Sequence, residues 1–129
     1  MSIPVDLERL RAEAEARGPG AFLLTVTDDG RPHVVAVAPE APAGAELTMG
    51  AGRTSIRNAG ARPGVTLLWP PAEAGGYSLI VDGEATAEPA PDPQDGGRIT
   101  VQVTRAVLHR PATGTPEGDC RADCVPLRP

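Results

Sequence analysis

Lysine is missing from this 129-residue chain, and all twelve basic residues are arginine. Alongside the abundance of alanine, glycine and proline, this fits the residue usage of a high-GC genome as much as selection on charge. Seventeen acidic residues outweigh the arginines and leave a formal net charge of -5. A general nucleic-acid or anionic-membrane binder needs a basic face, so neither class is expected. Long apolar runs are missing too: none approaches the roughly 18 residues of a membrane span. The start, MSIPVDLERL, carries acidic residues and lacks the apolar core of a secretory signal, which points to the cytoplasm. Aromatics are few, with Phe22, Trp69 and Tyr77 the whole set. Aromatic rings usually supply much of a small core's buried area. A core of Val, Leu and Ala is marginal for a monomer, so a homodimer that buries a second apolar face is expected.

Cysteine is also scarce. Cys120 and Cys124 form a C-x3-C near the end of the chain, with Asp119, Asp123 and a distant His as the other donors. A zinc site generally takes four ligands, and no metal is expected here. A disulfide is disfavoured in a reducing cytosol, so two free thiols in a tail are the plainer reading, with a redox role as the sharper one. The sequence has no Ser-His-Asp arrangement. Gly50-x-Gly52 lacks the third glycine and the strand-helix-strand setting of a dinucleotide fingerprint.

What the chain does have is punctuation. Fifteen glycines and fifteen prolines interrupt short apolar runs, the pattern of many short strands and turns rather than disorder. A single domain is expected over residues 1–129, with a helix inside the first twenty residues and a surface tail from 111 onward. Leu7, Leu10 and Ala14 share a helical face from Asp6 to Arg17, with Asp6 as a cap, and Gly18-Pro19-Gly20 ends it. Ala21–Thr27 reads as a strand buried on both faces near its start. Asp28-Asp29-Gly30 is a strong hairpin turn. The return strand Pro32–Ala38 is apolar almost throughout, so both its faces are expected to be covered.

Glu46–Met49 is a short third strand leading into GAGRTSIRNAGARPGVTLLW, residues 50–69. Gly50 and Gly52 let the backbone bend close to a ligand. Thr54 and Ser55 are good caps for a helical turn over Ile56–Ala61, flanked by Arg53 and Arg57. Free amides, hydroxyls and two guanidiniums on one bend favour an anion, above all a phosphate. Val65–Trp69 is an apolar strand, and Trp69 is either an interface anchor or the core's largest plug. A long strand runs from Tyr77 to about Ala87, with Gly83 as a bulge or close contact. Glu88–Gly97 is a Pro-rich connector, and Arg98–His109 alternates with Ile99, Val101 and Val103 on one side. His33, just after the hairpin turn, is a candidate to hydrogen-bond a ligand or move a proton; His109, at a strand end, is a weaker one. Six short antiparallel strands with one or two short helices suggest a small closed or partly closed barrel.

The order of these pieces resembles one family. LLTV, the DDG hairpin and GRPHVVAV resemble the opening of the pyridoxamine 5'-phosphate oxidase-like, FMN-binding split barrels. GRTSIRNAGARPGVTLLW is similar to that family's phosphate loop, helix and strand, and YSLIVDGEATA to its apolar strand with Gly-x-Ala. The resemblance runs from about Ala21 to Pro111. It implies a six-stranded antiparallel split β-barrel, a homodimer, holding flavin mononucleotide (FMN) or the related deazaflavin coenzyme 420 between protomers. The phosphate would lie against Arg53, Thr54, Ser55, Arg57 and Asn58. The ring would lie along the second strand from His33 to Val37, near Val35 and Val37, and by Thr48, Met49 and Gly50.

Two departures stand out. Thr54-Ser55 occupies the place of an Arg-Lys pair in many members, and the connector leaves no room for a helix that often walls the cofactor cleft. Pyridoxamine phosphate oxidation itself is not implied, because Arg31, Arg98, Arg105 and Arg110 are scattered rather than gathered into a second phosphate pocket. The expected function is a flavin- or deazaflavin-binding oxidoreductase of unknown substrate. The competing reading is a non-catalytic flavin- or haem-binding carrier or sensor, or a member that has lost cofactor binding.

Overall fold

The Asp-Asp-Gly turn sets the first half of the fold. Gly30 takes φ +83, its amide bonds the Thr27 carbonyl at 2.9 Å, and the Thr27 amide bonds the Arg31 carbonyl at 2.9 Å. That reversal pairs β2 (Ala21–Val26) with β3 (Pro32–Val37) in register from Ala21 opposite Val37 to Val26 opposite Pro32. The structure is a computed structural model that describes residues 1–112; Cys120, Cys124 and most of the expected tail lie outside the described residues.

Seven strands and two α-helices follow in the order β1 (Ser2–Pro4), α1 (Leu10–Arg17), β2, β3, β4 (Glu46–Ala51), α2 (Arg53–Ala61), β5 (Gly64–Trp69), β6 (Ser78–Pro89) and β7 (Gly97–His109). All pairings are antiparallel, and the sheet runs β1-β7-β6-β5-β2-β3 with β4 also on β7. The expected count of six is corrected to seven. The extra strand, β1, is three residues paired to Val107–His109, too short to leave an alternating pattern. The barrel does not close: β3 and β4 are both edges and share no ladder. The long β7 makes this possible, carrying β4 on its first half and β1 on its last.

The core follows the period of the strands. Leu23, Val65, Leu67, Trp69, Leu79, Val81, Ile99 and Val101 point inward, and α2 adds Ile56 and Ala59. Trp69 is 2% exposed, which makes it the core's plug. Gly83 sits at a register shift between β6 and β7, where a Cβ would lie 2.4 Å from the Gln102 carbonyl oxygen. The expected close contact is therefore backbone on backbone.

Three local expectations need correction. The first helix begins as a 3-10 turn at Leu7–Arg9, so Leu7 swings out to 39% exposure and only Leu10 and Ala14 are buried. Asp6 makes no capping bond. The start of β2 and the whole of β3 are expected to be covered on both faces, yet β2 alternates buried and open from its first residues, and β3, an edge strand, alternates half-buried and exposed. Phe22 and Val34 are 40% and 53% exposed. Their face is apolar without being buried by this chain.

Candidate functional site: the β4–α2 bend

β4 ends at Ala51, and α2 starts two residues later with Gly52 as its cap. The first intrahelical bond is from the Ile56 amide to the Gly52 carbonyl at 3.0 Å. The amides of the first turn before it are the donors that every helix start leaves over, and the helix dipole favours an anion there. The helix starts earlier than expected: Thr54 and Ser55 lie inside its first turn rather than capping it, and no side chain makes a capping bond. Gly50 and Gly52 are exposed, and a Cβ on Gly52 would meet nothing within 4 Å. Neither has positive φ.

The glycine that shapes the bend comes from elsewhere. Gly96, in the β6–β7 connector, is buried at φ +74, and a Cβ there would stand 2.1 Å from the Ala51 carbonyl oxygen and 2.9 Å from the Gly52 Cα. The connector holds only a 3-10 turn at Pro93–Asp95, as its proline content led us to expect. That turn brings Gln94 to the helix, where its side-chain oxygen accepts from Arg53. Arg53, Ile56 and Arg57 on α2 face Pro89, Pro93 and Gln94 across a cavity of about 350 Å³. Sequence reasoning missed Gln94 and Gly96, which it placed only in a Pro-rich connector with nothing local to tie them to α2.

The five residues expected at a phosphate do not share one surface. Arg53 and Arg57 lie on the connector side, with Arg57 exposed. Ser55 and Asn58 are each 1% exposed on the core side, and the Asn58 amide donates to the Thr25 hydroxyl at 3.1 Å. Thr54 is half-buried between the two. A helical turn of 100° per residue separates positions that the sequence lists side by side.

The residues expected beside a ring lie at the two sheet edges. Val35 and Val37 are half-buried on β3 and pack on the core. On β4, Met49 is 1% exposed in the core and Gly50 is exposed. Thr48 is half-buried and its hydroxyl donates to Glu40 at 3.1 Å. Glu40 also accepts from Arg98 at 2.8 Å. The Arg98 hydrogen bond, then the Thr48 bond, holds the Glu40 carboxyl below its usual range. His33 faces Thr25 across the hairpin, and its Nδ1 is the one buried side-chain nitrogen or oxygen without a partner among the described residues. His109 Nδ1 has Ser2 Oγ at 3.1 Å.

Charge pairing separates the arginines. Arg9, Arg11, Arg17, Arg62, Arg98 and Arg105 each have a carboxylate partner. Arg31, Arg53, Arg57 and Arg110 have none among the described residues, and Arg110 lies over the Tyr77 ring at 4.4 Å. Of these, Arg53 and Arg57 stand together beside a helix start, in a chain with a net charge of -5. No three His, Cys, Asp or Glu residues gather for a metal among the described residues, and no helix there is long and apolar enough to cross a membrane.

The sheet order and the placement of α2 define the class of protein. Solved structures with this fold include an F420 reductase (TM-score 0.60, 24% identity, covering 81% of this chain and 98% of that one). An FMN-binding protein from Syntrophomonas wolfei has a TM-score of 0.64 at 10% identity, covering 81% and 86%. A haem-binding protein from Mycobacterium smegmatis reaches 0.62 at 15% identity, covering 83% and 55%. The fold is that of the pyridoxamine 5'-phosphate oxidase-like split barrels, as the sequence resemblance implied. No family model matches the chain. Uncharacterized proteins from Mycobacterium bovis and Mycobacterium tuberculosis are each 44% identical to it over 134 residues, covering 94% of this chain and 93% of the relative. The chain belongs to the same family as these two mycobacterial proteins.

Proposed function

We propose that this protein binds a flavin-type cofactor, FMN or deazaflavin coenzyme 420, and serves as a cytoplasmic oxidoreductase. The observation that carries the reading is the pair Arg53 and Arg57, without carboxylate partners on the open first turns of α2. They suit the charged end of such a cofactor, with the first-turn amides as further donors and the open side of Gly52 as the approach. When bound, the ring supplies hydride or electron transfer, and the protein supplies binding and orientation. His33 offers an unpartnered ring nitrogen on the strand along which the cofactor ring is expected.

The test is a fluorescence titration with each cofactor in turn. Arg53→Ala with Arg57→Ala should weaken binding about 100-fold, since each lost charge-assisted bond is worth roughly 1.5 kcal/mol or more. Unchanged affinity in the double variant would remove the bend from the site.

We further propose a homodimer. Phe22 lies opposite Ala36 and Leu68, Leu68 opposite Ile80, and Leu24 opposite Val34, so one outward sheet face presents an apolar row across four strands. A patch of this kind on a small domain marks an interface. Val34→Glu should convert a dimer to a monomer in sedimentation, with the far-UV spectrum retained. A wild-type chain that sediments as a monomer at micromolar concentration would end this proposal.

A second reading has its own support: with Ser55 and Asn58 turned to the core, the bend offers fewer donors than a full phosphate loop. The chain would then be a non-catalytic carrier or sensor of flavin or haem, or a relative without cofactor. Solved neighbours include haem-binding and haem-storage proteins. The visible spectrum of the purified protein, followed by turnover of bound flavin with a reductant, separates the two.

A further inference from the structure

We infer that the cleft where α1 meets the β3–β4 loop is a binding site for a compact, uncharged molecule whose carbonyl oxygen accepts a hydrogen bond from Trp69. The cleft holds about 270 Å³ and shares no lining residue with the cavity beside Arg53 and Arg57. The two sites are separate, so the failure of one reading leaves the other intact.

The donor comes first. Trp69 makes no hydrogen bond among the described residues, although a buried indole N–H usually finds a partner. Nor is that N–H sealed in the core, because His33 Nδ1 is the one fully buried side-chain nitrogen or oxygen without a partner there. The indole nitrogen thus keeps access to the surface, and the open space that Trp69 lines is this cleft. At 2% exposure the ring is held by the core, and the end of β5 is held by Leu79 and, one strand further, Leu108. The N–H is fixed in place.

The rest of the lining offers no competing side-chain donor. Pro19, Pro39 and Pro42 lack even a backbone N–H, and the Glu15 and Glu40 carboxylates only accept. Each carboxylate already has a guanidinium: Glu15 accepts from Arg11 at 3.2 Å and Glu40 from Arg98 at 2.8 Å. Neither calls for a ligand cation, and both repel an incoming anion. What suits the cleft is an apolar body with a single acceptor and no charge. Its volume equals that of about nine waters at liquid density, which limits the ligand to one ring or a short chain.

The walls are set before any ligand arrives. Arg17 donates to the Tyr77 carbonyl at 2.9 Å and to the Glu13 carbonyl at 2.8 Å, which holds the end of α1. The Glu40 amide bonds the Thr48 carbonyl at 2.9 Å, which holds the β3–β4 loop. Binding therefore costs little in ordering.

Trp69 is the only tryptophan, so a nitrogen–proton correlation spectrum contains one indole signal. The probe is cyclohexanone, with cyclohexanecarboxylate as its anionic counterpart. The ketone should shift the indole signal saturably with a Kd on the order of 1 mM. The amides of Ala14 and Ala41 should move with it, and those of Arg53 and Arg57 should not. The carboxylate should bind at least about tenfold more weakly. Trp69→Phe keeps an aromatic plug and deletes the donor. Followed by the Ala14 and Ala41 amides, the ketone should bind that variant about fivefold to tenfold more weakly, the scale of one neutral hydrogen bond. No saturable indole shift, equal binding of the carboxylate, or undiminished ketone binding in Trp69→Phe overturns the site. If Trp69→Phe does not fold, the indole shift and the ketone–carboxylate comparison on the wild-type chain decide by themselves.

Discussion

Replacing Gly96 with alanine should cost the protein on the order of 3 kcal/mol and also cripple flavin binding. The left-handed backbone at φ +74 alone costs a non-glycine residue about 1–2 kcal/mol. The larger cause is steric. A Cβ at 2.1 Å from the Ala51 carbonyl oxygen and 2.9 Å from the Gly52 Cα meets backbone on the other side, and backbone cannot rotate away as a side-chain tip does. The connector must lift, taking Gln94 from Arg53 and loosening the start of α2. For a chain of this size the melting temperature should fall by roughly 10 °C.

The informative control is Gly52→Ala. A Cβ there meets nothing within 4 Å and φ is ordinary, so stability should drop by less than about 1 kcal/mol, the usual scale of a cap change. If a ligand approaches the bend on that side, Gly52→Ala nonetheless lowers its affinity. A Gly96→Ala protein that melts with the wild type would refute the close packing of connector and bend.

The largest loss of stability is expected from Trp69→Ala. Trp69 is the largest fully buried side chain and is 2% exposed. Truncations of buried Phe and Trp cost about 3–5 kcal/mol from lost transfer energy and the remaining cavity. Domains have only about 5–15 kcal/mol in total, so the variant should sit near its unfolding threshold. The void would merge with the cleft of about 270 Å³ that Trp69 already lines with Ala14, Pro19, Pro39 and Pro42, where α1 meets the β3–β4 loop. Urea denaturation measures the change. A cost below about 1 kcal/mol would mean that the site collapses around the missing ring, contrary to the spread seen in rigid cores.

Comparison of the two glycines shows how far the sequence reaches. Gly83 was legible as a bulge because it interrupts an otherwise continuous strand pattern, and the register shift falls beside it. Gly96 sits in a Pro- and Gly-rich connector where any glycine looks like a turn. Its importance comes from Ala51 and Gly52, more than forty positions away, and no local pattern carries that. The same limit applies to the β4–α2 bend. The residue types at 53–58 pointed to anion-binding chemistry, which is the reading proposed for this bend. Which of them face outward was decided by the helix starting at Arg53, one turn earlier than the capping residues suggested, because Gly52 took the cap.

From its residues alone the chain determined what depends on neighbours in sequence: the hairpin at Asp28–Gly30, the alternation along β7, the helical stretch after Gly52 and the order of elements that marks the split-barrel class. Only the tertiary structure decided which strands are edges, why the apolar β3 stays open on one face, and which arginines have no carboxylate partner. Periodicity and turn chemistry act over a few residues. Burial and charge pairing depend on what the rest of the chain brings alongside, and here β7 and the connector bring it from the far end.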